Sequence, residues 1–490
     1  MSGANPGIMY GLPKIHKPNL PIRPILSAIG TFNYKLAKFL VPILRPLTFN
    51  QYTINNTSHF IDDIKRLRFD HNTFMASFDV TSLFTNIPLD ETVNICTDKL
   101  YSKGENPLEI PKDSFQSMIN IAVKDNYFIF NSDLYQQING CSMGGPLSPS
   151  LANAFMCHHE EIWMKQCPEA FRPLFFRRFV DDIFCIFRDK SQAQLFKDFL
   201  NSRHKNITFT AEFENNNKLD FLDVSLTFAN GLFTYKTYRK PTFTGLGTSF
   251  ESFIPLIFKL NSISTLINRA FITCSDWFSL HEELEFLTKY FLQNKYPIQI
   301  IQKIINKFLN NKIIQVPVRS TVPKLLHYVS LPYYGQYSYD LRNELGKLLL
   351  NTYPYIEFRF VFKNTRTIGS LFRYKDRIPE MLQTSVVYLW KCTHADCNAS
   401  YIGSTTRCLH DRIAQHRGVS ERTYKELAKK DQSSIRSHCN KENHELNLES
   451  FSIIGRESDP TTLRLMESIL IKLKEPSLNV MLHTEKIFTI

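Results

Sequence analysis

The sequence predicts an α+β chain of two or three domains, and three observations carry that prediction. Its 490 residues exceed one common domain, and at 43% hydrophobic they can fill more than one core. Short aromatic and β-branched runs alternate with longer stretches of helical periodicity, the mixture such a fold needs. Several of the strand-like runs also end in acids or in Gly and Pro turns, which gathers polar chemistry at strand ends.

Charge and composition narrow the function classes. A formal charge of +12 and a pI near 9.1 favour a polyanionic partner, because each cation set against a phosphate releases condensed counterions. Nucleic acid is the expected partner. A membrane is not expected: the chain has no run of 18 apolar residues, and Met1 to Pro6 lack the apolar stretch of a signal peptide. The ten cysteines lie mostly alone in apolar stretches (Cys96, Cys157, Cys185, Cys274), as reduced core residues of an intracellular protein do.

Along the chain, Tyr10 to Pro18 and Pro21 to Ile25 are rich in proline, which favours extended backbone. Lys14, Lys17 and Arg23 are spaced to aim cations from two extended segments at one triphosphate, the alternative being a basic surface loop. Leu36, Phe39, Leu40, Ile43 and Leu44 recur at helical spacing and are expected in the core. Phe74 to Val80 reads as a buried strand delivering Asp79 to its end, followed by a turn and a helix opened by Asp90 and Glu91. Asn139 to Ser150 is a Gly- and Pro-rich loop whose Gly144 and Gly145 would let a template base and the nucleotide approach the main chain, ahead of a helix of small and apolar residues.

Arg177 to Phe187 holds two adjacent carboxylates, Asp181 and Asp182, between apolar runs. It reads as two short strands across a turn formed by those acids, well placed for a divalent cation. Taken alone it is more often an ordinary Asp-Asp turn, since Asp is common in turns. Asp79 and Asp181 are about a hundred residues apart in the chain. If the fold joins them, three carboxylates would hold two metal ions, one activating a 3′-hydroxyl and one bridging the phosphates of an incoming nucleotide. That chemistry needs no protein nucleophile, and the chain offers no convincing Ser-His or Cys-His set.

In this order, these blocks resemble the motifs of a reverse transcriptase: Leu12-Pro13-Lys14-Ile15-His16-Lys17 with Arg23-Pro24-Ile25, Phe78-Asp79-Val80, Gly144 to Pro149, and Phe179-Val180-Asp181-Asp182-Ile183. Leu219 to Val224 resembles the next palm block and Tyr238 to Thr242 the primer grip. The wording is most similar to Penelope-like retroelements. The resemblance implies a right-hand polymerase, with fingers, a palm built on an antiparallel sheet, and a helical thumb. It implies Mg²⁺ held by Asp79, Asp181 and Asp182, triphosphate contacts from Lys14 and Arg23, and Phe84 as a bulky gate against the ribose 2′-hydroxyl. Plain core packing is the alternative for Phe84. Asn139 stands where many relatives carry Gln. The chain also begins almost at the Leu12-Pro13-Lys14 block, so the fingers are expected to be incomplete.

Fingers and palm are expected over 1–255, the thumb over 256–345 and a basic linker over 346–384. Leu256, Leu260, Ile263, Leu266 and Ile267, then Leu284, Phe286, Leu287, Tyr290 and Phe291, carry the helical spacing of the thumb. Lys303, Lys307 and Lys312 would line a duplex groove or form a solvated basic face. The Tyr-Tyr-Gly-Gln-Tyr stretch, with Arg359, Lys363, Arg366, Arg373, Lys375 and Arg377, suits stacking and backbone contact or a linker.

The last segment, 385–490, opens with a strand, Val386 to Cys392. Cys392 and Cys397, with four residues between them, together with His438 and His444 form a candidate zinc set, His394 and Cys439 being alternates. Arg412 and His416 share a helix face, and Glu467 is a lone acid in an apolar helical run, which invites a cation. This segment resembles a GIY-YIG endonuclease, a small α/β fold. The resemblance implies Tyr388 and Tyr401 as its paired tyrosines, Arg412 on the phosphate, His416 assisting, Glu467 as ligand of one Mg²⁺, and Asn479 near the end. Val386 replaces the glycine of the first motif. Penelope-like elements are similar in joining both enzymes with an embedded Cys-Cys-His-His set. The expected whole is an RNA-directed DNA polymerase coupled to a DNA-nicking endonuclease for target-primed reverse transcription. It would act in the nucleus on an RNA template, a DNA target and primer, and deoxynucleoside triphosphates, with the oligomeric state open. The alternative is a truncated or decayed element product that binds nucleic acid and nicks DNA without polymerising.

Overall fold

The computed structural model describes residues 4–15, 19–69, 73–102, 109–314, 325–364, 367–372, 376–419, 425–426 and 433–479. Lys17, Arg366, Arg373 and Lys375 lie outside these, as does the side chain of Lys312.

A four-stranded antiparallel sheet organises the first half. Its order is Phe175–Phe179, Asp182–Phe187, Phe74–Val80, Phe209–Phe213. The middle strands are apolar at nearly every position because both sheet faces are covered. Ala76, Phe78, Cys185 and Phe187 point into one core with the helix Ser148–Gln166, whereas Met75, Phe184 and Ile186 enter a second core with Phe60 and Phe221. Each such side chain contributes roughly 1.5–3 kcal/mol, so the sheet is a rigid support for whatever its strand ends carry.

The turn after Phe179 differs from the sequence expectation. Val180 and Asp181 make it, and Asp182 is already the first residue of the next strand, directly opposite Asp79. Val180 adopts a left-handed φ of 55°, rare for a β-branched residue. The helix Tyr34–Leu44 forms as expected, with Leu40 and Leu44 fully buried, but Phe39 is 51% exposed, since it lies on the outer side of that helix.

A second sheet holds the basic hairpin. Gly7–Pro13 pairs antiparallel with Ile22–Ser27 and parallel with Tyr127–Phe130, which turns back as Asp133–Gln136. The Gly-rich loop locks onto this hairpin, Leu26 N–H donating to the Met143 carbonyl at 2.7 Å. A Cβ on Gly144, whose φ is +121°, would lie 2.3 Å from the Leu26 carbonyl oxygen. The glycine is thus required for packing of chain against chain.

After a three-stranded antiparallel unit, Lys218–Phe221, Val224–Ala229 and Leu232–Thr237, three helices follow: Leu256–Thr273, Trp277–Gln293 and Ile298–Ile314. Ile263, Ile267, Leu287 and Phe291 fill their common core, as the periodicity predicts, whereas Leu256 at the first helix's start is exposed. Lys303 and Lys307 are solvated. The boundary expected at 345 falls inside a helix, Gln336–Thr352, and the expected linker contains a strand, Ile356–Lys363. That strand pairs in parallel with Leu325–Pro332, making a β-α-β unit. Its apolar face, Val329, Leu331, Phe360 and Phe362, alternates with exposed Tyr328, Arg359 and Lys363, so period two was hidden among cations.

The C-terminal unit is a three-stranded antiparallel sheet with Val386–Lys391 in the centre, flanked by Ser400–Thr405 and Phe451–Arg456. Helices Leu409–His416, Ser434–Glu442 and Pro460–Lys474 pack around it. Among the described residues no helix is long and apolar enough to cross a membrane.

Candidate functional site

Cross-strand pairing brings Asp79 and Asp182 together, and Asp181 joins them through the turn, its carbonyl accepting from Val80 N–H at 3.1 Å. Three carboxylates in one half-buried place repel one another. Burial, then the neighbouring Asp181 and Asp79 charges, push the Asp182 carboxyl up to about 6, with Lys240 pulling the other way. Burial also raises Asp181, Asp79 adds to this, and Arg23 and Lys14 oppose it. Arg23 and Lys14 of the basic hairpin therefore act electrostatically at the acid turn. A site that cannot comfortably hold its own charges is one that a divalent cation would relieve, and three carboxylates are the oxygen donors Mg²⁺ prefers.

The strained turn has a support that sequence reading missed. Arg178 is fully buried and its guanidinium donates to the Val180 carbonyl at 2.9 Å and to Asn153 Oδ1 at 2.8 Å. It also pairs with the buried Glu160 carboxylate and donates to Cys157 Sγ at 3.3 Å. A left-handed valine costs of order 1–3 kcal/mol, and this network holds it. Only an Arg among aromatic strand residues, and a Glu on the helix Ser148–Gln166, hinted at it. Lys240, in the stretch read as a primer grip, is a second miss as a partner of the acids.

Other expected nucleotide contacts lie nearby with different neighbours. Phe84 packs against the main core, and its carbonyl accepts from Cys141 N–H at 2.6 Å. Gly145 is crowded by Ser142 and Ser148 within its own loop.

In the C-terminal unit the expected residues converge on the sheet. Arg412 Nε donates to Tyr388 Oη at 3.1 Å, and Tyr388 Oη lies 2.8 Å from His416 Nε2. Burial, then the Arg412 charge, push His416 down to about 3, so the imidazole is neutral and accepts the tyrosine proton at Nε2. Its Nδ1 is then a buried donor with no partner among the described residues. Burial raises Tyr388 and Tyr401 as well. Gly403 faces Tyr388 across the strands, and a Cβ there would sit 2.5 Å from the Tyr388 hydroxyl oxygen, which explains the glycine of Tyr401-Ile402-Gly403. Glu467 accepts from Ser404 N–H at 3.0 Å and from the Ser404 hydroxyl at 2.5 Å. Asn479, expected in the chemistry, instead spends both amide atoms on the Ile402 backbone, at 2.8 and 2.7 Å. That two-point clamp pins an edge strand.

Cys392, Cys397, His438 and His444 cluster with one ligand atom each, all within 4.8 Å of one another. Cys392 Sγ to His444 Nδ1 is 3.3 Å, Cys397 Sγ to His438 Nε2 3.5 Å, and His438 Nε2 to His444 Nδ1 3.3 Å. Bonds of about 2.3 Å to sulfur and about 2.0 Å to nitrogen give tetrahedral edges of roughly 3.3–3.6 Å. The donor set fits a zinc ion. Of the alternates, His394 stacks on His444 at 4.3 Å, and Cys439 is buried beside the set.

Comparison with known proteins gives two family matches and a set of structural neighbours. Residues 248–306 match the animal helix-turn-helix domain. No curated protein matches. Among solved structures, a telomerase from Candida albicans in complex with a TWJ fragment of telomeric RNA is similar at 11% identity and TM-score 0.47, over 64% of this chain and 60% of that one. A Candida tropicalis telomerase with the same kind of fragment is similar at 14% identity and TM-score 0.41, over 64% and 55%. The RNA-dependent RNA polymerase of bacteriophage phi12 is similar at 12% identity and TM-score 0.35, over 58% and 47%. The chain thus spans about 60% of the length of the first of these. Residues 15–228, which include all three aspartates, match the family described as reverse transcriptase (RNA-dependent DNA polymerase), and the chain therefore carries a reverse transcriptase domain.

Proposed function

We propose that this chain is an RNA-directed DNA polymerase joined to a GIY-YIG-type endonuclease, of the kind Penelope-like retroelements encode, and that it performs target-primed reverse transcription. The observation that carries the reading is Asp79 opposite Asp182 with Asp181 in the adjoining turn. In this reading the four-stranded sheet is the palm and the three helices of 256–314 the thumb. Asp79, Asp181 and Asp182 hold two Mg²⁺, which when bound supply the Lewis acidity for 3′-hydroxyl attack on the nucleotide α-phosphate. Lys14 and Arg23 neutralise the triphosphate, Phe84 limits the ribose pocket, and the Gly144 loop ties that cation hairpin to the palm.

In the nuclease half, Arg412 orients on the reacting phosphate and Tyr388 relays a proton from the attacking water to neutral His416. Tyr401 lines the same site. Glu467, oriented by Ser404, is the ligand for one Mg²⁺, and Asn479 keeps the strand in place. Zn²⁺ on Cys392, Cys397, His438 and His444 has a structural role. The nick supplies the 3′-hydroxyl from which an RNA template is copied with deoxynucleoside triphosphates, and a nuclear location follows from that substrate.

The test is a pair of assays on the full chain: primer extension on poly-rA with Mg²⁺, and nicking of supercoiled DNA. Asp181→Asn is expected to abolish extension and spare nicking, and Glu467→Ala to do the converse. Loss of both activities together in either variant contradicts two independent sites.

A further inference from the structure

Beside Glu467 lies a cleft of about 350 Å³ whose wall contains three arginines, Arg407, Arg412 and Arg464. Only Arg412 has a role in the reading above. It is ordered from two sides, donating to Tyr388 Oη at 3.1 Å and to Gln415 Oε1 at 2.7 Å. That restraint suits a guanidinium committed to one reacting phosphate. The other two differ. Arg464 is exposed, one turn before Glu467 on the helix Pro460–Lys474, and makes no ion pair or hydrogen bond among the described residues. Arg407 is exposed in the loop after the strand Ser400–Thr405, so it reaches the cleft from a different element.

The acid nearest in sequence to Arg464 does not neutralise it. Asp459 caps the helix, accepting from Thr462 N–H at 2.7 Å and from its hydroxyl at 2.9 Å. The remaining lining carries no charge: Ser404, Thr405, Thr406 and Gln415 are polar, and Pro460 and Leu463 apolar. A cleft with three guanidiniums is larger and more cationic than one phosphate needs. We infer that Arg464 and Arg407 bind the phosphates flanking the one that Arg412 holds, so that the nuclease takes an extended phosphodiester backbone and discriminates against isolated diesters. This rests on the nuclease reading and adds to it the two residues that contact the flanking backbone.

Two substrates separate the roles, a DNA duplex and bis(p-nitrophenyl) phosphate, whose single phosphodiester has no flanking phosphate. In the full chain with Mg²⁺, Arg464→Ala and Arg407→Ala are each expected to lower kcat/KM on duplex roughly tenfold, chiefly through KM, as loss of one charged contact does. Hydrolysis of bis(p-nitrophenyl) phosphate should stay within about twofold, whereas Arg412→Ala should lose both substrates. Equal slowing of both substrates by Arg464→Ala would place that residue on the reacting phosphate and overturn the proposal, as would no effect on either. If the unaltered chain cleaves neither substrate, the nuclease reading itself has failed. Duplex binding against salt then decides the cleft: the slope of log Kd falls by about one per arginine removed if each meets a phosphate, and an unchanged slope refutes it.

Discussion

The two candidate sites of this chain handle charge in opposite ways. In the reverse transcriptase domain the carboxylates of Asp79, Asp181 and Asp182 crowd one another, and burial with mutual repulsion lifts Asp182 to about 6. The protein supplies rigid backbone there, and Lys240, Arg23 and Lys14 offset only part of that effect. In the C-terminal unit the expected groups hold one another: Arg412 donates to Tyr388, Tyr388 meets His416, and Ser404 makes two hydrogen bonds to Glu467. The first arrangement waits for cations, while the second is ordered beforehand by its own hydrogen bonds. The contrast predicts that the two sites respond differently to metal, to pH and to loss of their supports.

The largest expected effect breaks the crowded site outright. Asp181→Asn removes one of three donors, and primer extension should fall by roughly 10⁴-fold, about 5.5 kcal/mol in barrier, with nicking retained. Removal of zinc should act only on the other half. A chelator, or Cys392→Ser, is expected to cost the C-terminal unit about 4 kcal/mol, the value for a metal present at a thousand times its Kd. Thermal unfolding would then show an early transition while the reverse transcriptase transition stays put. A single unchanged transition, or no zinc by elemental analysis, would remove the metal from that cluster.

Next comes the support of the strained turn. Arg178→Met leaves Glu160 as an unpaired buried charge and frees the Val180 carbonyl, so it should destabilise by about 3 kcal/mol and slow extension while leaving duplex affinity intact. Conservative Arg178→Lys should fail to restore it, since a point charge cannot reach four acceptors at once.

The smallest effect is also the sharpest test of charge crowding. A carboxyl raised in the folded state favours folding while protonated, so this contribution is present at low pH and is lost as pH rises through about 6. Asp182→Asn should therefore match the unaltered chain near pH 4 and be more stable at pH 8. The gain is about 1–2 kcal/mol once partial exposure is discounted. Adding Mg²⁺ at pH 8 should raise the Tm of the unaltered chain and leave the variant nearly unmoved. Equal stabilities of the two proteins at pH 8 would mean that the aspartates do not crowd.

Much of this was legible in the chain itself, for definable reasons. The middle strands of the central sheet could be read because burial on both faces makes them continuously apolar, as in Ile183 to Phe187. The three helices of 256–314 showed their period because only one face of each is buried. The β-α-β unit was missed because its strands carry cations on the exposed side and its helix has Ser338 as its one fully covered residue. Asn479 was expected in the chemistry from the family resemblance alone; its two bonds to Ile402 are visible only once strand and tail are side by side.

What the sequence by itself determined is the set of local commitments: which runs form strands, which residues carry charge at their ends, and which sulfurs and imidazoles stand at ligand spacing. The tertiary structure alone decided the register that sets Asp79 against Asp182, the network through which Arg178 holds Val180, and the tetrahedral edges among Cys392, Cys397, His438 and His444. The reason is range. Propensity and periodicity act over a few neighbours, whereas a site joins groups a hundred residues apart, whose separation is set to within an ångström only by packing and cross-strand hydrogen bonds.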